Sequence, residues 1–337
     1  MPAMTPKDGE KGKTPSTQRL MTDSVSTNAE RFMQAMFRKA SIFNYLAVFL
    51  AVMAFDAWLK TVEVRSDGPT REVALRFEPV SFRASEFAPL RLVGAWKMNV
   101  DDPRFGGVSA LATDGGQLLA LTDSGSVIRF SPPGRGGRAF VRDLPAGPGI
   151  PQLKINRDTE ALALDPAGRG WWVAFEHWHQ LWLYDSGFRR SLASVDLGKD
   201  RWGANRGLEG VIATPDGLVL FPENGKEWHR LTGDRLQPHR LDNAYGDIAD
   251  GLRLADGRLL LVTRQFGVTG ITKRLVFAEE KGGLLHLRLL ARLGLDATDN
   301  VEAIAAEPRA GVTRLWLMTD NDFRPRAPTY LVALDLP

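Results

Sequence analysis

The chain has 337 residues, a hydrophobic fraction of 44% and a formal net charge of +3, which is enough apolar material for one large folded domain or two medium ones. The charge excess is small, and no dense Lys/Arg block is interleaved with aromatic residues, so we expect no nucleic-acid partner. The chain contains no cysteine, which excludes disulfides, zinc fingers, thiol catalysis and a lipoprotein anchor.

The N-terminal region predicts export. Residues 1–35 are polar, and we interpret them as a disordered or upstream segment. Arg38 and Lys39 precede an apolar run over residues 42–55, a layout that favours a signal peptide or signal-anchor within residues 36–60 over a buried core helix. We therefore expect a periplasmic or secreted protein, held at the inner membrane if the segment is not cleaved.

The rest of the chain predicts an all-β domain. Residues 61–89 are interpreted as a linker and lead-in, and residues 90–337 as one β-propeller domain. Five hairpin patterns recur there at intervals of about fifty residues, the length of a four-stranded propeller blade. They cover residues 106–125, 158–176, 205–225, 249–265 and 300–322.

The ends of the domain predict how the ring closes. The last hairpin is followed by a single strand pattern, residues 329–336, which leaves that blade one strand short. Residues 90–98 have the length and alternation of the missing outer strand, and such a closure leaves few free sheet edges. Five blades are favoured, and six are the alternative if residues 73–87 and the irregular fourth repeat hide another blade.

Acidic residues recur at both outer ends of the hairpins, which meet at one edge of a sheet. We expect these side chains to gather at one mouth of the propeller channel, where an oxygen-rich cluster suits calcium. The structural alternative is that each acid simply pairs with a nearby base: Lys154, Arg157, Arg206, Arg264 or Arg324. The acids that open the first strands are Glu160, Glu209, Asp250 and Glu302, and those that close the second strands are Asp123, Glu176, Glu223 and Asp320.

A family resemblance follows from four motifs in order: GGVSAL with LTDSG, DTEALAL with WWVAFE, NRGLEGV with LFPENG, and NVEAIA with LMTDND. This series resembles the family described as esterase-like activity of phytase, bacterial exported β-propellers distantly similar to calcium-dependent phytases. The resemblance implies a propeller fold and hydrolysis of an ester or phosphoester. The positions that match its acidic residues are Glu160, Glu176, Glu209, Glu223 and Glu302. The fourth repeat departs from the pattern, with Arg264 and Gln265 in place of an acid.

Two classes of function remain open. In the first, the protein is a hydrolase of an anionic or ester small molecule, in which Glu209 or Glu223 activates water. Its substrate charge is compensated by Arg206, Arg264 and Arg324, and its calcium is held by Glu160, Glu176, Glu209, Glu223, Glu302 and Asp320. A calcium-dependent lactonase is a variant of this hypothesis. In the second, the propeller is a non-catalytic envelope protein that binds a ligand or a protein.

The EHWHQ motif gives a weaker signal. His177 and His179 are two residues apart, which on a strand would place both on one face, opposite Glu176 and Trp178. We interpret them as partly exposed surface histidines rather than as metal ligands.

Overall fold

The computed structural model describes residues 44–53, 55, 59, 62–198, 201–202, 206–223, 225–296, 298–324 and 326–337. The chain divides into two compact units, Met1–Leu59 and Lys60–Pro337. In the first unit, residues 44–53 are helical and exposed, and the rest of the predicted export segment lies largely outside the described residues. Among the described helical residues, no segment has the length and apolarity needed to cross a bilayer.

The second unit is built almost entirely of β-strands, as predicted. Two N-terminal strands are β1 (Arg71–Val80) and β2 (Arg91–Val100). The strands of the first two repeats are β3 (Val108–Asp114), β4 (Gln117–Thr122), β5 (Ser126–Phe130), β6 (Arg138–Asp143), β7 (Thr159–Leu164), β8 (Gly170–Phe175), β9 (Gln180–Asp185) and β10 (Ser191–Asp196). Those of the third and fourth repeats are β11 (Leu208–Thr214), β12 (Gly217–Pro222), β13 (Glu227–Thr232), β14 (Arg235–Asp242), β15 (Asp247–Arg253), β16 (Leu259–Gly267), β17 (Gly270–Lys281) and β18 (Leu284–Arg292). The last repeat contributes β19 (Asn300–Arg309), β20 (Val312–Asp320) and β21 (Thr329–Leu336).

Strand pairing groups these elements into four-stranded antiparallel blades, which we number 1 to 5 in chain order. Blades 1 to 4 each consist of four consecutive strands, beginning with β3, β7, β11 and β15. The first strand of each blade contacts the first strand of the next, and β19 contacts β3. These first strands therefore form a closed inner ring, the arrangement of a β-propeller.

An N-terminal strand closes the ring, as the sequence predicts. β2 pairs antiparallel with β21, with Trp96 opposite Leu331, and so becomes the outer strand of blade 5. The segment expected to be a linker, however, contains β1. This strand does not start a sixth blade, because it pairs with β2 on one side and with β6, the outer strand of blade 1, on the other.

Apolar side chains fill the five spaces between neighbouring blades. Successive side chains of a strand point to opposite faces of the blade, and apolar residues on both faces pack against the neighbouring blades. One cluster packs blade 1 on blade 2 around Val173 and Phe175, and a second packs blade 2 on blade 3 around Trp202. Separate clusters fill the 3–4, 4–5 and 5–1 spaces. Burial between blades therefore holds the ring together.

Local turn chemistry sets the hairpins. In blade 3 the turn Pro215-Asp216-Gly217 joins β11 to β12. Gly217 has a φ of 131°, and a Cβ there would lie 2.2 Å from the carbonyl oxygen of Leu231. Only glycine fits this close approach, so it fixes where the second strand begins.

Candidate active site

Each blade carries an irregularity at the same place, one or two residues after its first strand begins to pair. The ladder between the first two strands shifts there by one residue, which is a β-bulge. A bulge bends the strand and re-aims the side chain of the extra residue. The bulged residues of blades 1 to 5 are Ser109, Glu160, Glu209, Ala249 and Glu302.

Two further sets of positions lie beside the bulges at the same end of the blades. The residues two positions before the bulged residues are Gly107, Asp158, Gly207, Asp247 and Asn300. The residues that face them, at or near the end of the second strands, are Asp123, Glu176, Glu223, Arg264 and Asp320. The expected acids therefore occupy equivalent heights in the ring. Blade 4 is the exception, since it presents Arg264 where the other four blades present a carboxylate.

The bulge corrects one sequence alignment. Asp250 was expected to open the first strand of blade 4 as Glu209 does in blade 3, but the extra residue is Ala249. Asp250 is buried instead, where it accepts hydrogen bonds from the backbone N–H of Gly251 and, at 2.8 Å, from that of Ile304. It therefore ties blade 4 to blade 5 and is not a site residue.

Arg264 links the acids of two other blades. Its Nη2 lies 3.3 Å from Oε2 of Glu209 in blade 3, and its Nη1 forms an ion pair with Oε1 of Glu302 in blade 5. Arg264 and Glu209 are both buried. Because Ala249 is small, blade 4 provides no acid at the bulge, and the long Arg264 side chain takes up that position between its neighbours.

Lys154 is the second cation of the cluster. Its Nζ lies 3.0 Å from Oδ2 of Asp123 in blade 1 and 3.2 Å from Oδ1 of Asp158 in blade 2. Burial opposes the charged form of Lys154, but Asp158 and Asp123 outweigh it and raise the pKa of the ammonium group. Lys154 therefore remains charged and bridges two blades.

His177 joins the same cluster, contrary to the expectation of a surface histidine. Glu176 to His179 form a turn between β8 and β9, not a strand, so alternation of faces does not apply. Nε2 of His177 lies 3.1 Å from Oδ2 of Asp158 and 3.5 Å from Oε2 of Glu176. His179 points elsewhere: it is buried, with Nδ1 3.1 Å from the carbonyl oxygen of Gly198.

Burial and mutual repulsion raise the pKa of several carboxyl groups here. Burial, opposed by Arg264 and reinforced by Glu223 and Glu176, raises the pKa of Glu209 to about 8. Burial and the charge of Asp158 raise the pKa of Glu176 to about 7. Neighbouring charges have a strong effect on these pKa values because the buried surroundings screen them poorly.

Four further acids follow the same trend, and Asp158 departs from it. Burial raises the pKa of Asp320 to about 6, and it raises the pKa of Asp123, Glu160 and Glu223 as well. The exception is Asp158: burial favours its neutral form, but His177 and Lys154 lower its pKa. The contacts of Asp158 therefore favour its ionised form.

The predicted substrate-binding arginines are not brought together. Arg264 is buried among the acids, as described above. Arg206 is exposed, and its charge lowers the pKa of Glu223, so it lies at the edge of the cluster. Arg324 is exposed and pairs with Asp322 at 2.8 Å, so it faces a different carboxylate.

Two glycines allow the backbone to pass close to the acids. A Cβ on Gly207 would lie 2.6 Å from Cα of Glu176, and one on Gly107 would lie 2.2 Å from Oδ1 of Asp123. These positions are equivalent in blades 3 and 1. Any side chain there would displace the carboxylates from the cluster.

The cluster has the composition of a cation-binding site. In the described residues, eight carboxyl groups surround Lys154 and Arg264, with the exposed Arg206 and the half-buried Asp247 at the edge. The eight are Asp123, Asp158, Glu160, Glu176, Glu209, Glu223, Glu302 and Asp320.

The sequence of the domain matches one family of proteins. Residues 103–323 match the profile of the phytase-like family described as esterase-like activity of phytase. The chain belongs to this family. The match spans all five blades, including the acids of the mouth, so the phytase-like assignment rests on the region that carries the candidate site. No curated protein sequence matches this phytase-like chain.

Solved structures resemble the phytase-like chain only distantly. The glutaminyl cyclase of Myxococcus xanthus aligns over 80% of this chain and 98% of its own, with a TM-score of 0.47 and 12% identity. A streptogramin B lyase aligns over 79% and 88%, with a TM-score of 0.41 and 12% identity. The hydrazine synthase of Kuenenia stuttgartiensis aligns over 66% of this chain and 58% of its own, with a TM-score of 0.40 and 13% identity.

The donor set of the phytase-like site fits a divalent cation. Calcium takes six to eight oxygen ligands, and the carboxylates supply oxygens in excess. Asp158, Glu176 and His177 also bring three possible ligand atoms within 4.8 Å of one another. An imidazole nitrogen beside two carboxylates suits zinc better than calcium.

Sequence reasoning missed two members of the cluster. Asp158 stands one residue before a strand, two positions from the expected Glu160, and its role depends on Lys154 from the loop before it. His177 was discounted because a strand was assumed where the chain turns. The signal that points to both is their adjacency in sequence to the recurring acids Glu160 and Glu176.

Proposed function

We propose that this protein is a phytase-like hydrolase that cleaves a phosphoester or carboxylic ester at the acidic mouth of the propeller. The observation that carries the proposal is the state of Glu209, a buried carboxyl group whose pKa is raised to about 8 while Arg264 holds it in place. A general acid or base works best when its pKa lies near the operating pH. Carboxyl groups with strongly perturbed pKa values are found most often at functional sites.

Two carboxylates divide the proton transfer in this proposal. Glu223 is only partly buried and is near the charge of Arg206, so it is open to solvent and can accept the proton of an attacking water. Glu209 is buried and linked to Arg264, so it is the group that holds a proton near neutral pH and can return it to the leaving oxygen. Arg264 orients Glu209, and Arg206 at the edge attracts an anionic substrate.

A calcium ion is the proposed cofactor, and the acids named above would hold it. When bound, such an ion neutralises carboxylate charge and polarises a phosphoryl or carbonyl oxygen. The residues that would bind it are Glu160, Glu176, Glu223, Glu302 and Asp320, together with Asp158, and Glu209 would join them only in its ionised form. We further propose that the enzyme acts outside the cytoplasm, since a basic flank and an apolar run precede the domain.

A non-catalytic role is supported by a different observation. Arg264 joins blades 3 and 5 through two ion pairs, and Lys154 joins blades 1 and 2. Both cations therefore stabilise the ring whether or not chemistry occurs there. In this second candidate the propeller is an envelope protein that binds a ligand. A lactone-hydrolysing enzyme is a variant of the first candidate, the hydrolase.

The test uses the purified protein with 4-nitrophenyl phosphate, 4-nitrophenyl acetate and a simple lactone, each with added calcium or with EDTA. Calcium-dependent release of product that Glu209→Gln abolishes supports the hydrolase. The matched control is Glu279→Gln, because Glu279 is an exposed glutamate paired with Lys281. Equal, negligible turnover by the wild-type protein and Glu209→Gln on all three substrates contradicts the proposal and favours the binding role.

A further inference from the structure

A recess lies beside the mouth, where blade 5 meets blade 1. It has a volume of about 640 Å³ and is lined by β1, β2 and the residues that follow β20. Lys154, which contacts Asp123 and Asp158 of the mouth, also lines this recess. We call it the cationic cleft, and its Lys154 wall is shared with the acidic cluster.

Three cations of the cleft have no carboxylate partner within ion-pair distance among the described residues: Arg76, Lys97 and Arg326. Arg76 faces Asn99 across the β1–β2 ladder, and Lys97 is two residues from Asn99, so these side chains share one face of the sheet. The cleft also contains the acids Glu63 and Asp101. Glu78 also faces Lys97 across the β1–β2 ladder. Positive charge nevertheless predominates, because six basic side chains line the cleft against two acidic ones.

Two uncharged donors in the cleft also lack partners. Thr329 is 2% exposed, and its Oγ1 has no hydrogen-bond partner in the described structure. Nδ2 of Asn99 is likewise buried without a partner. Buried polar groups are almost always hydrogen-bonded, so unpaired donors beside unpaired cations indicate a place where acceptor oxygens bind.

We propose that the cationic cleft binds the anionic end of the substrate, so that the substrate is a small molecule with several phosphate or carboxylate groups. Its scissile ester would lie at the acidic mouth, on the other side of Lys154. The arginines would form paired hydrogen bonds to oxyanions, and Lys97 would act as a point charge. The assignment of substrate class rests on the proposed hydrolysis, but the binding itself is measurable without turnover.

The cleft also explains how one domain can attract an anion to an acidic mouth. The ionised carboxyl groups at the mouth, Asp158 among them, repel an anionic substrate when no cation is bound. A neighbouring cationic recess offsets this repulsion and orients the molecule with its charged end away from the acids. Phosphate and carboxylate have the same oxyanion chemistry, so the experiment uses a probe for each.

The experiment is isothermal titration of the full chain, freed of metal with EDTA, with inorganic pyrophosphate and with tricarballylate. We expect at least one probe to bind, and the tighter one identifies the oxyanion. Arg76→Gln and Lys97→Gln are each expected to weaken binding by about ten-fold, the effect of losing one charge-assisted hydrogen bond. Arg235→Gln is the matched control, because Arg235 is exposed on a hairpin outside the cleft, and it should leave binding unchanged.

The outcomes separate the cleft from the hydrolase. Thermal melting first establishes that each variant is folded, and Arg326→Glu, a change at an exposed residue, provides a further charge reversal. Absence of binding by both probes overturns the proposal that the cleft binds anions. Equal binding by the wild type and all three cleft variants overturns it as well. Binding lost in the cleft variants but kept in Glu209→Gln supports it, even if no ester is hydrolysed. Hydrolysis of an anionic ester with a KM that no cleft variant changes overturns it as well.

Discussion

Nη2 of Arg264 lies 3.3 Å from Oε2 of Glu209, although the two residues belong to neighbouring blades. Both side chains are buried, and the same guanidinium also pairs with Glu302. The position that carries an acid in the four other blades thus carries the cation that satisfies two of the acids. The ring has an internal counterion built into its fourth repeat.

Replacement of Arg264 by Gln is expected to destabilise the protein by about 3 kcal/mol near pH 8, because it leaves buried carboxylates without their partner. The loss should be smaller near pH 5, where Glu209 is neutral. Urea unfolding at the two pH values measures the difference. Arg258→Gln is the control, since Arg258 forms a similar but exposed pair with Asp256. Equal losses at both pH values would argue against the counterion role.

Stability should fall as pH rises in the absence of metal. The pKa of Glu209 is raised to about 8 and that of Glu176 to about 7, from a starting value of 4.5. A raised pKa means that the folded state binds the proton more tightly. Its stabilising effect is therefore complete below pH 4.5 and is lost as pH rises through these values.

We expect a slope of about 1 kcal/mol per pH unit for each titrating group between roughly pH 5 and 8. Glu209→Gln should reduce this slope, because glutamine does not ionise. Added calcium should also reduce it, since a ligand that binds the ionised, folded form stabilises that form. A wild-type slope that is flat with EDTA would show that these acids are not held neutral by the fold.

We expect His177 to influence which cation the cluster binds. Without His177, Asp158 and Glu176 retain only oxygen ligands, which suit calcium but bind zinc more weakly. His177→Ala should therefore reduce the rise in melting temperature produced by zinc and leave the rise produced by calcium nearly unchanged. His286→Ala is the control, because His286 forms an exposed pair with Asp242 at 3.2 Å. A loss confined to the calcium response would contradict this assignment.

Ring closure predicts a sharp boundary for truncation. A chain that begins at residue 62 retains β1 and β2 and should melt cooperatively. A chain that begins at residue 101 lacks both strands, so that β21 and β6 have open edges and the apolar cluster between blades 5 and 1 loses Met98. We expect this shorter chain to be insoluble or to lose its sharp transition by differential scanning calorimetry. A soluble, cooperatively melting product would refute the closure.

The hairpins were predictable from sequence because they depend on local features. Alternating apolar residues and turns such as Pro215-Asp216-Gly217 fix strands within a few residues of where they lie. The recurrence of Glu160, Glu209 and Glu302 correctly marks equivalent positions. The family could likewise be inferred from the order of the motifs.

The contacts within the site were not predictable in the same way. A bulge shifts the register by one residue, and no local pattern shows whether Ala249 or Asp250 is the extra residue. The contacts of Lys154 and His177 depend on how blades 1 and 2 pack and on a turn that resembles a strand in sequence. The role of β1 depends on two outer strands that are distant in the chain.

Blade 2 differs from the other blades in how it is attached to the ring. β1 merges blades 5 and 1 into one continuous sheet, and the parallel pair β14–β18 does the same for blades 3 and 4, whereas β10 pairs only with β9 among the described strands. Among the described strands, blade 2 is thus the one blade whose outer strand forms no backbone hydrogen bonds with a neighbouring blade. This blade carries Asp158, Glu176 and His177. Its amide protons should be the first to exchange with deuterium when metal is removed, because local opening begins where the fewest backbone bonds cross a boundary. A cation bound jointly by blade 2 and its neighbours would then hold blade 2 in the ring, in place of the missing strand pairing.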